Sequence, residues 1–278
     1  MSDPKTILIT GCSSGIGYDA AHGLKQRGWR VFATCRKPED CTRLEDEGLE
    51  SFVLDYDDET SIAAAVDQTL ERTGGTLNAV FNNGAYGTPG LLEDMPTEAL
   101  RRNFETNFFA QHDLTRRLIP VFRKQGHGLI LMNSSVLGFV ALPWRGVYNS
   151  TKFAMEGWAD TLRLELQGTG IHVILIEPGP ITSDIRQKSI PHFEKWVKPE
   201  NSPRAEDYEN KLKPRLYAQR GEPDKFELPA SAVTRVVHDA LTLINPKPRY
   251  RITTPTKAMA FLKRILPTRM LDKVLLKA

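Results

Sequence analysis

The sequence predicts an α/β fold in which a single doubly wound parallel sheet carries helices on both faces. Short apolar segments rich in Val, Ile and Leu alternate with amphipathic segments of helix length along most of the chain. Almost fully apolar strands are typical of a parallel sheet that is covered on both faces, because neither side of the strand meets water. The repeated strand–helix units imply right-handed crossovers, and therefore one wound sheet.

The predicted strands are residues 5–10, 30–35, 50–55, 77–82, 128–133 and 171–178. Helices are predicted between them, among them residues 15–27, 58–73, 97–123 and 146–167. Residues 183–226 break this alternation because they are polar and dotted with proline. We expect this segment to be a mobile excursion of the kind that forms a lid.

The composition argues against several classes of protein. The chain has 278 residues, of which 40% are hydrophobic and 26% charged, as in an ordinary globular protein. A net charge of +3 is too small to indicate nucleic-acid binding. The three cysteines suit a reducing compartment, and the scattered histidines indicate no metal site. The chain has no apolar run long enough to span a membrane, and a strand begins near the first residue, so we predict a cytoplasmic protein.

A glycine-rich loop follows the first predicted strand and opens a helix. Gly11 allows a tight turn, Gly15 lets backbone N–H groups approach a pyrophosphate, and Gly17 lets the helix pack closely on the strand. The helix N-terminus then favours the anion. Because a strand precedes the loop and a helix follows it, the pattern predicts a dinucleotide site in a Rossmann-type sheet.

Tyr148 and Lys152 stand four residues apart on the predicted helix 146–167, so they share one face. A cation held beside a phenol favours the phenolate, which makes the phenol a better proton donor and acceptor near neutral pH. Such a pair alone is also typical of an ordinary helix surface, so its meaning depends on the glycine loop.

Together the two motifs resemble the short-chain dehydrogenase/reductase family. Its T-G-x-x-x-G-x-G signature matches Thr10 to Gly17, its Y-x-x-x-K signature matches Tyr148 to Lys152, and the resemblance covers about residues 5–255. The stretches LITGCSSGIG, FATCRKPED and IEPGPI look most like the hydroxysteroid and retinol dehydrogenase branch. They are also similar to bacterial NADP-dependent aldehyde reductases of that branch.

The resemblance implies four catalytic residues. Tyr148 would be the general acid in reduction and the base in oxidation, and Lys152 would bind the nicotinamide ribose and lower the pKa of the tyrosine. Ser135 would hold the substrate carbonyl, with Ser134 as the competing choice. Asn107 would anchor a water that links Lys152 to solvent.

The tip of the second strand predicts which dinucleotide binds. A carboxylate there would select NAD, whereas an arginine can clamp the 2′-phosphate of NADP. The chain has Arg36 and Lys37, with no acid until Glu39, so we predict NADP(H). The family resemblance, together with the hydroxyl of Ser14 in the glycine loop, implies the further cofactor-binding residues Ser13, Ser14, Ile16, Asp55, Asn82, Tyr148, Lys152, Pro178, Gly179, Ile181 and Ser183.

Two positions depart from the family pattern. The family usually reads N-N-A-G after the fourth strand, whereas this chain has Gly84 followed by Ala85. If the backbone at residue 85 needs positive φ, Ala85 adds strain. Ser183 also stands where the family commonly has threonine, with Thr182 beside it.

The substrate pocket is expected from residues 85–95, 136–145 and 183–226. An apolar cavity is suggested by the side chains of Phe139, Leu142, Trp144, Phe193 and Trp196, although ordinary core packing is the alternative for each. The basic, apolar tail 256–278 has three alternatives: packing on its own subunit's pocket, on a partner subunit, or on an anionic membrane surface. We place the domain boundary before this tail, at residue 255.

Three functions are compatible with these patterns. The first is an NADPH-dependent carbonyl reductase acting on apolar aldehydes or ketones. The second is a hydroxysteroid or retinol-type dehydrogenase that works oxidatively, and the third is a non-catalytic dinucleotide sensor. The resemblance also implies a homo-oligomer formed through the helices near 97–123 and 146–167.

Overall fold

The structure is a computed structural model that describes residues 4–219, 221 and 223–277. Its centre is a seven-stranded, all-parallel sheet in the order β3-β2-β1-β4-β5-β6-β7. The strands are β1 (Thr6–Ile9), β2 (Arg30–Cys35), β3 (Glu50–Val53), β4 (Ala79–Asn82), β5 (Gly128–Asn133), β6 (Ile171–Pro178) and β7 (Arg249–Ile252). The main helices are α1 (Gly15–Lys25), α2 (Pro38–Asp46), α3 (Glu59–Arg72), α4 (Thr97–Phe104), α5 (Ala110–Gln125), α6 (Gly146–Glu165), α7 (Ile185–Trp196), α8 (Ala205–Asp207), α9 (Lys213–Leu216), α10 (Ser231–Thr242), α11 (Thr254–Ile265) and α12 (Thr268–Leu275).

The central strand shows why the predicted strands are apolar throughout. Ile7 and Ile9 of β1 belong to the core on one face of the sheet, and Leu8 belongs to the core on the other face. Successive side chains of a strand point to opposite faces, and helices cover both of them here. The predicted fold class is therefore confirmed.

The sheet reverses its winding direction between β1 and β4, which are neighbours although two strands separate them in sequence. In an open α/β sheet, a crevice forms at such a switch point, outside the carboxyl ends of the strands. The chain segments that leave β1 and β4 both enter this crevice, so the topology places the candidate site there.

Strand β7 was not among the predicted strands. Its sequence, RYRI, contains two arginines that are ion-paired with Glu177 of β6. A strand at the sheet edge can carry charged side chains. Its charged residues hide the apolar pattern on which the prediction depended.

The predicted helix 97–123 is continuous from α4 into α5, but it contains a π turn at Glu105–Phe109. The N–H of Ala110 bonds to the carbonyl of Glu105 across this turn. Such turns are frequent at functional sites, and this one includes Asn107.

The excursion after β6 is largely helical, and its predicted mobility stays a prediction. Its helices α7, α8 and α9 enclose a small core that includes Phe193, Val197, Tyr208 and Leu216, and Leu91 from the loop after β4 joins them. We call this group the third core. The hydroxyl of Tyr208 donates to Asp94 Oδ2 at 2.7 Å and accepts from the N–H of Leu91 at 3.0 Å. These bonds anchor the excursion to the loop after β4.

The C-terminal tail contacts its own subunit. Thr256 and Ala260 of α11 are buried, and the Lys263 ammonium donates to the carbonyl of Phe139. Phe261 and Met270, in contrast, remain exposed. The alternatives of a partner subunit and a membrane surface therefore stay predictions for the exposed side of the tail. Across the described residues, we find no helix with the length and apolar character that crossing a membrane requires.

Candidate active site

The glycine loop joins β1 to α1 at the switch point. Gly11 and Gly15 have φ angles of +69° and +61°, which favour glycine. A Cβ on Gly17 would lie 2.4 Å from the carbonyl oxygen of Gly11, so only glycine lets the helix approach this closely. The first N–H groups of α1 are consequently presented to the crevice, where an anion can bind them.

The packing around Gly84 explains why this chain has Gly84 followed by Ala85 after β4, where the family usually has alanine followed by glycine. A Cβ on Gly84 would lie 2.9 Å from Cε2 of Tyr56, and a Cβ on Gly11 would lie 2.7 Å from Cα of Gly84. The close approach therefore occurs at residue 84, where the chain has its glycine. Among the described non-glycine residues, positive φ occurs at Trp144 and Thr253, so the strain considered for Ala85 is absent.

The serines near the glycine loop contact basic residues that sequence reasoning missed. Arg43 Nη2 donates to the carbonyl of Ser13 at 2.9 Å, and the Lys188 ammonium from α7 donates to the Ser14 hydroxyl. Ser183 lies beside the loop, with its Cβ 3.5 Å from where a Cβ on Gly15 would stand.

The basic tip of β2 also faces α7. Arg36 is exposed, and Lys37 is ion-paired with Glu39 at 3.5 Å. The pKa of His192 in α7 is lowered mainly by burial and then by the charge of Arg36. His192 stacks on Tyr86 with ring centroids 4.0 Å apart. Helix α7 therefore lies close to the predicted cofactor end of the crevice.

Two predicted cofactor-binding residues are engaged by the protein itself. Asn82 is fully buried, with Nδ2 bonded to Thr115 Oγ1 at 3.0 Å and Oδ1 accepting from Tyr56 at 3.4 Å. Its side chain faces the core, so the predicted contact with the cofactor would have to use the backbone of Asn82. Asp55 Oδ1 accepts from the N–H of Asp57 at 3.0 Å and shapes the turn after β3.

The remaining predicted cofactor residues line the loop after β6 or the core. Ile16 packs against the hydrophobic core beside α1. A Cβ on Gly179 would lie 2.2 Å from Thr253 Oγ1, so Pro178 is followed by a tightly packed turn. Ile181 forms a β-bridge with Leu228.

Tyr148 and Lys152 lie on one face of α6, as predicted. The Lys152 ammonium is 5.5 Å from the centroid of the tyrosine ring, is only 1% exposed, and donates to the carbonyl of Asn133 at 2.6 Å. Burial raises the pKa of Tyr148 to about 12, against the opposing effect of a hydrogen bond with Ser135. Burial lowers the pKa of Lys152 to about 7, against the opposing charge of Glu156. Desolvation therefore dominates both groups, and the expected lowering of the tyrosine pKa is not seen here.

The neighbouring serines point to different partners. The Ser134 hydroxyl donates to Glu156 Oε1, which engages it away from the site. The Ser135 hydroxyl accepts from the N–H of Leu137 at 3.1 Å and interacts with the Tyr148 hydroxyl. Of the two candidates, Ser135 is the one that the structure brings to Tyr148.

Asn107 is fully buried in the π turn, and its side chain bonds to the loop after β4 and to α6. Its Oδ1 accepts from the N–H of Tyr86 at 3.0 Å, and its Nδ2 lies 2.8 Å from the carbonyl of the same residue. Nδ2 is also 3.2 Å from Thr151 Oγ1 on α6. These bonds engage the side chain, so the predicted water anchor would have to use the backbone of Asn107.

A polar chain that sequence reasoning missed joins the catalytic helix to the glycine loop. Lys152 bonds to the carbonyl of Asn133, Asn133 Nδ2 donates to Asn83 Oδ1 at 2.8 Å, and Asn83 Nδ2 donates to the carbonyl of Thr10 at 2.9 Å. Both asparagines follow or end predicted strands at the switch-point edge, which is the signal that could have identified them.

The site fits a dinucleotide. The glycine loop leaves a cradle that side chains would fill, α1 presents its N-terminus, and β2 ends in a basic tip. The buried Oδ1 of Asn133 has no hydrogen-bond partner in the described protein. The described residues contain no group of three or more His, Cys, Asp or Glu side chains that could hold a metal ion.

The predicted aromatic lining is divided between three places. Phe193 is buried in the third core, and Trp144 packs against that core with its ring 5.1 Å from Tyr208. Phe139 lies instead beneath the guanidinium of Arg251, at 5.8 Å. Trp196 stacks with Lys195 at 4.6 Å rather than joining the third core.

Comparison with known proteins agrees with this geometry. The family model described as short chain dehydrogenase matches residues 5–193. The chain is 38% identical over 275 residues to the uncharacterized oxidoreductase YbbO of Escherichia coli K12, covering 98% of this chain and 94% of that protein. It is 32% identical to the NADPH-dependent 3-dehydrocapnine reductase of Ornithobacterium rhinotracheale, covering 97% and 95%.

The solved structure of a short-chain dehydrogenase from Streptomyces avermitilis superposes with a TM-score of 0.78 at 26% identity, covering 99% of this chain and 94% of that one. A matching family model, relatives similar over nearly the whole chain and a shared fold agree with the two motifs. The protein is an oxidoreductase acting on carbonyl or alcohol groups, and it belongs to the short-chain dehydrogenase/reductase family.

Proposed function

We propose that this protein is an NADPH-dependent carbonyl reductase that converts apolar aldehydes or ketones to alcohols. The observation that carries this proposal is the arrangement around Tyr148. Its hydroxyl interacts with Ser135, and the Lys152 ammonium lies 5.5 Å from its ring centroid. A proton donor, a hydroxyl that can stabilise an oxyanion and a cation therefore stand together, as carbonyl reduction requires, and a preference for NADPH favours reduction over the oxidative alternative.

The residues around the phenol would each have a role in carbonyl reduction. NADPH would supply the hydride. Ser135 would hydrogen-bond the substrate oxygen and stabilise the negative charge that develops on it, while Tyr148 donates its proton to that oxygen. Lys152 would bind the cofactor ribose, and its bond to Asn133 holds its ammonium near the phenol. Asn107 would position the loop that carries Tyr86.

The preference for NADPH rests on the basic groups at the adenosine end of the crevice. Arg36 is exposed at the tip of β2 and has no ion pair with an acid in the described part of the chain. A free guanidinium can bind a 2′-phosphate through two parallel hydrogen bonds. The name of the Ornithobacterium relative, which includes NADPH dependence, also supports this choice.

Turnover by purified protein tests the proposed reaction. We expect NADPH to be consumed with members of a panel of medium-chain aldehydes, retinal and ketosteroids. A Tyr148→Phe variant should lose turnover by about 100-fold or more, because it loses the proton donor, while it still binds NADPH. Equal turnover in the variant would contradict the assigned role. Tight NADPH binding without turnover on any carbonyl would instead support the sensor.

Nicotinamide preference is tested with Arg36→Ala. We expect the Michaelis constant for NADPH to rise about 10-fold or more, because a charge-assisted contact is lost. The constant for NADH should change little, since NADH has no 2′-phosphate. Lys124→Ala, which also removes an exposed cation, is the matched control. Equal effects on both cofactors would remove Arg36 from this role.

We also propose that the protein is a cytoplasmic homo-oligomer and that its tail contributes to activity, assembly or weak membrane contact. Buried free thiols at Cys12, Cys35 and Cys41 support a reducing compartment. Exposed apolar side chains at Phe261 and Ile265, beside exposed Lys257 and Arg264, support a contact surface on α11. Removing residues 256–278 should change activity, molecular mass or binding to anionic vesicles, and no change in any of them would contradict a role for the tail.

A further inference from the structure

Three arginines without acidic partners come together beside the catalytic helix. Arg145 stands immediately before α6, Arg186 is in the first turn of α7, and Arg215 is in α9. Within the described residues, none of these side chains forms a hydrogen bond or ion pair. The pKa of Arg145 is lowered by burial and then by the positive charges of Arg215 and Arg186. No carboxylate offsets that repulsion.

Packing of the neighbouring residues holds this arginine cluster in place. Trp144, Ile190 and Leu216 all pack in or against the third core, and each lies next to one of the arginines in sequence or one helical turn away. The segment before α6 is also tied to the loop after β4, because the N–H of Gly90 donates to the carbonyl of Trp144 at 3.0 Å. The cluster is therefore built by three separate chain segments around one core.

The arginine cluster lies close to the reacting group. Arg145 is the N-cap residue of α6, three residues before Tyr148, and its carbonyl accepts from the N–H of Asn149 at 2.8 Å. Gly87 lies against the tyrosine ring, since a Cβ on it would be 3.7 Å from Cδ2 of Tyr148. The segment from Gly87 to Gly90 therefore runs from the ring of Tyr148 to Arg145, with which Gly90 forms a β-bridge.

Elsewhere in the described structure, partly buried arginines are neutralised. Arg249, for example, pairs with Glu156, Asp160 and Glu177. Arg145 is partly buried, and removing a cation from water without an anion is unfavourable. The positive charges of Arg186 and of the exposed Arg215 increase that cost. An anionic ligand would relieve it, because guanidinium groups bind carboxylate, sulfonate and phosphate oxygens through charge-assisted hydrogen bonds.

We propose that the substrate carries an anionic group at a distance from its carbonyl, and that Arg145, with Arg186 and Arg215, binds this group. The proposal rests on the proposed carbonyl reduction and specifies its substrate class. The arginine cluster fixes the end of the substrate that does not react. The carbonyl is thereby presented to Tyr148 in one orientation.

Matched substrates test the proposal. The probes are straight-chain ω-oxo carboxylates of increasing length, each compared with its methyl ester, under saturating NADPH. For at least one length we expect kcat/KM to be about 10- to 100-fold higher for the acid, as a charge-assisted contact predicts. Arg145→Gln should remove most of that acid-to-ester ratio.

Arg116→Gln is the matched control, because it removes a surface arginine that pairs with Asp113, and the acid-to-ester ratio should not change. Equal use of acid and ester by the unmodified protein at every length would overturn the proposal and leave the proposed function intact. A raised Michaelis constant for NADPH in Arg145→Gln, with an unchanged ratio, would also overturn it and assign the arginine cluster to a cofactor phosphate.

Equilibrium binding separates this proposal from the proposed reaction. With NADPH present, a medium-chain carboxylate should bind the unmodified protein about 10-fold or more tightly than the alcohol of the same length. Arg145→Gln, if its melting temperature is unchanged, should bind the two ligands alike. If this preference holds although no carbonyl is reduced, the proposed reaction fails and the anion site stands. If carbonyls are reduced but the carboxylate binds no more tightly than the alcohol, the anion site fails and the proposed reaction stands.

Discussion

At the scale of single residues, Lys152 shows how the site depends on desolvation. Its ammonium is 1% exposed, and burial lowers its pKa to about 7. An unfolded lysine has a pKa of about 10.4. Between these values the unfolded chain holds a proton that the folded chain has released, so the free energy of unfolding rises as pH increases from 7.

We therefore expect Lys152 to add about 1–2 kcal/mol to the free energy of unfolding between pH 7.0 and 8.5, at roughly 1.4 kcal/mol per unit of pH. Urea unfolding of the cofactor-free protein at both pH values measures this gain. Lys152→Met, which keeps the apolar stem and has no proton to release, should lose it. Equal pH dependence in both proteins would contradict a depressed lysine pKa.

At the scale of elements, the sequence predicted those parts whose conformation is decided by nearby residues. The loop from Gly11 to Gly17 was predictable because tight turns and close helix packing require glycine. Strand β7 was not predictable, because its two arginines are neutralised by Glu177, which is distant in sequence. The π turn around Asn107 has no residue-type signature, and the arginine cluster joins segments that only the folded chain brings together.

The packing of α1 on β1 gives a prediction at this scale. A methyl group on Gly17 would meet the Gly11 carbonyl at 2.4 Å and Asn83 Nδ2 at 2.5 Å. We expect Gly17→Ala to destabilise the protein by about 1–3 kcal/mol, as overpacking typically does, and to weaken NADPH binding because the loop must shift. Denaturant unfolding and cofactor titration measure the two effects.

Gly157 provides the control for this substitution. It lies inside α6, and a Cβ there would meet no atom within 4 Å. Gly157→Ala should therefore leave NADPH binding unchanged and raise the free energy of unfolding by about 0.5–1 kcal/mol, because alanine is the better helix former. If Gly17→Ala behaved like this control, α1 would not depend on close contact with the glycine loop.

At the scale of the whole molecule, one ion-pair network joins the sheet edge to the catalytic helix. Arg249 of β7 is 3.2 Å from Glu156 and 2.6 Å from Asp160, both on α6, and 3.0 Å from Glu177 of β6. Glu177 is fully buried, and burial raises its pKa to about 7. Glu156 also accepts from Ser134, so the network extends to the residue beside Ser135.

Removing Arg249 should therefore destabilise the entire fold. In Arg249→Ala, the buried Glu177 keeps only Arg251, and removing one partner of a buried ion pair typically costs about 3–5 kcal/mol. Urea unfolding at pH 7 measures this loss. Arg117→Ala, which removes a surface pairing with Asp113 and Glu59, should lose about 1 kcal/mol or less. If the two variants lost equal stability, the network would be no more than surface pairing. Below pH 7 the Glu177 carboxyl group becomes mostly neutral, and a neutral carboxyl group gains less from a nearby arginine. The stability lost in Arg249→Ala should therefore shrink as pH falls below 7.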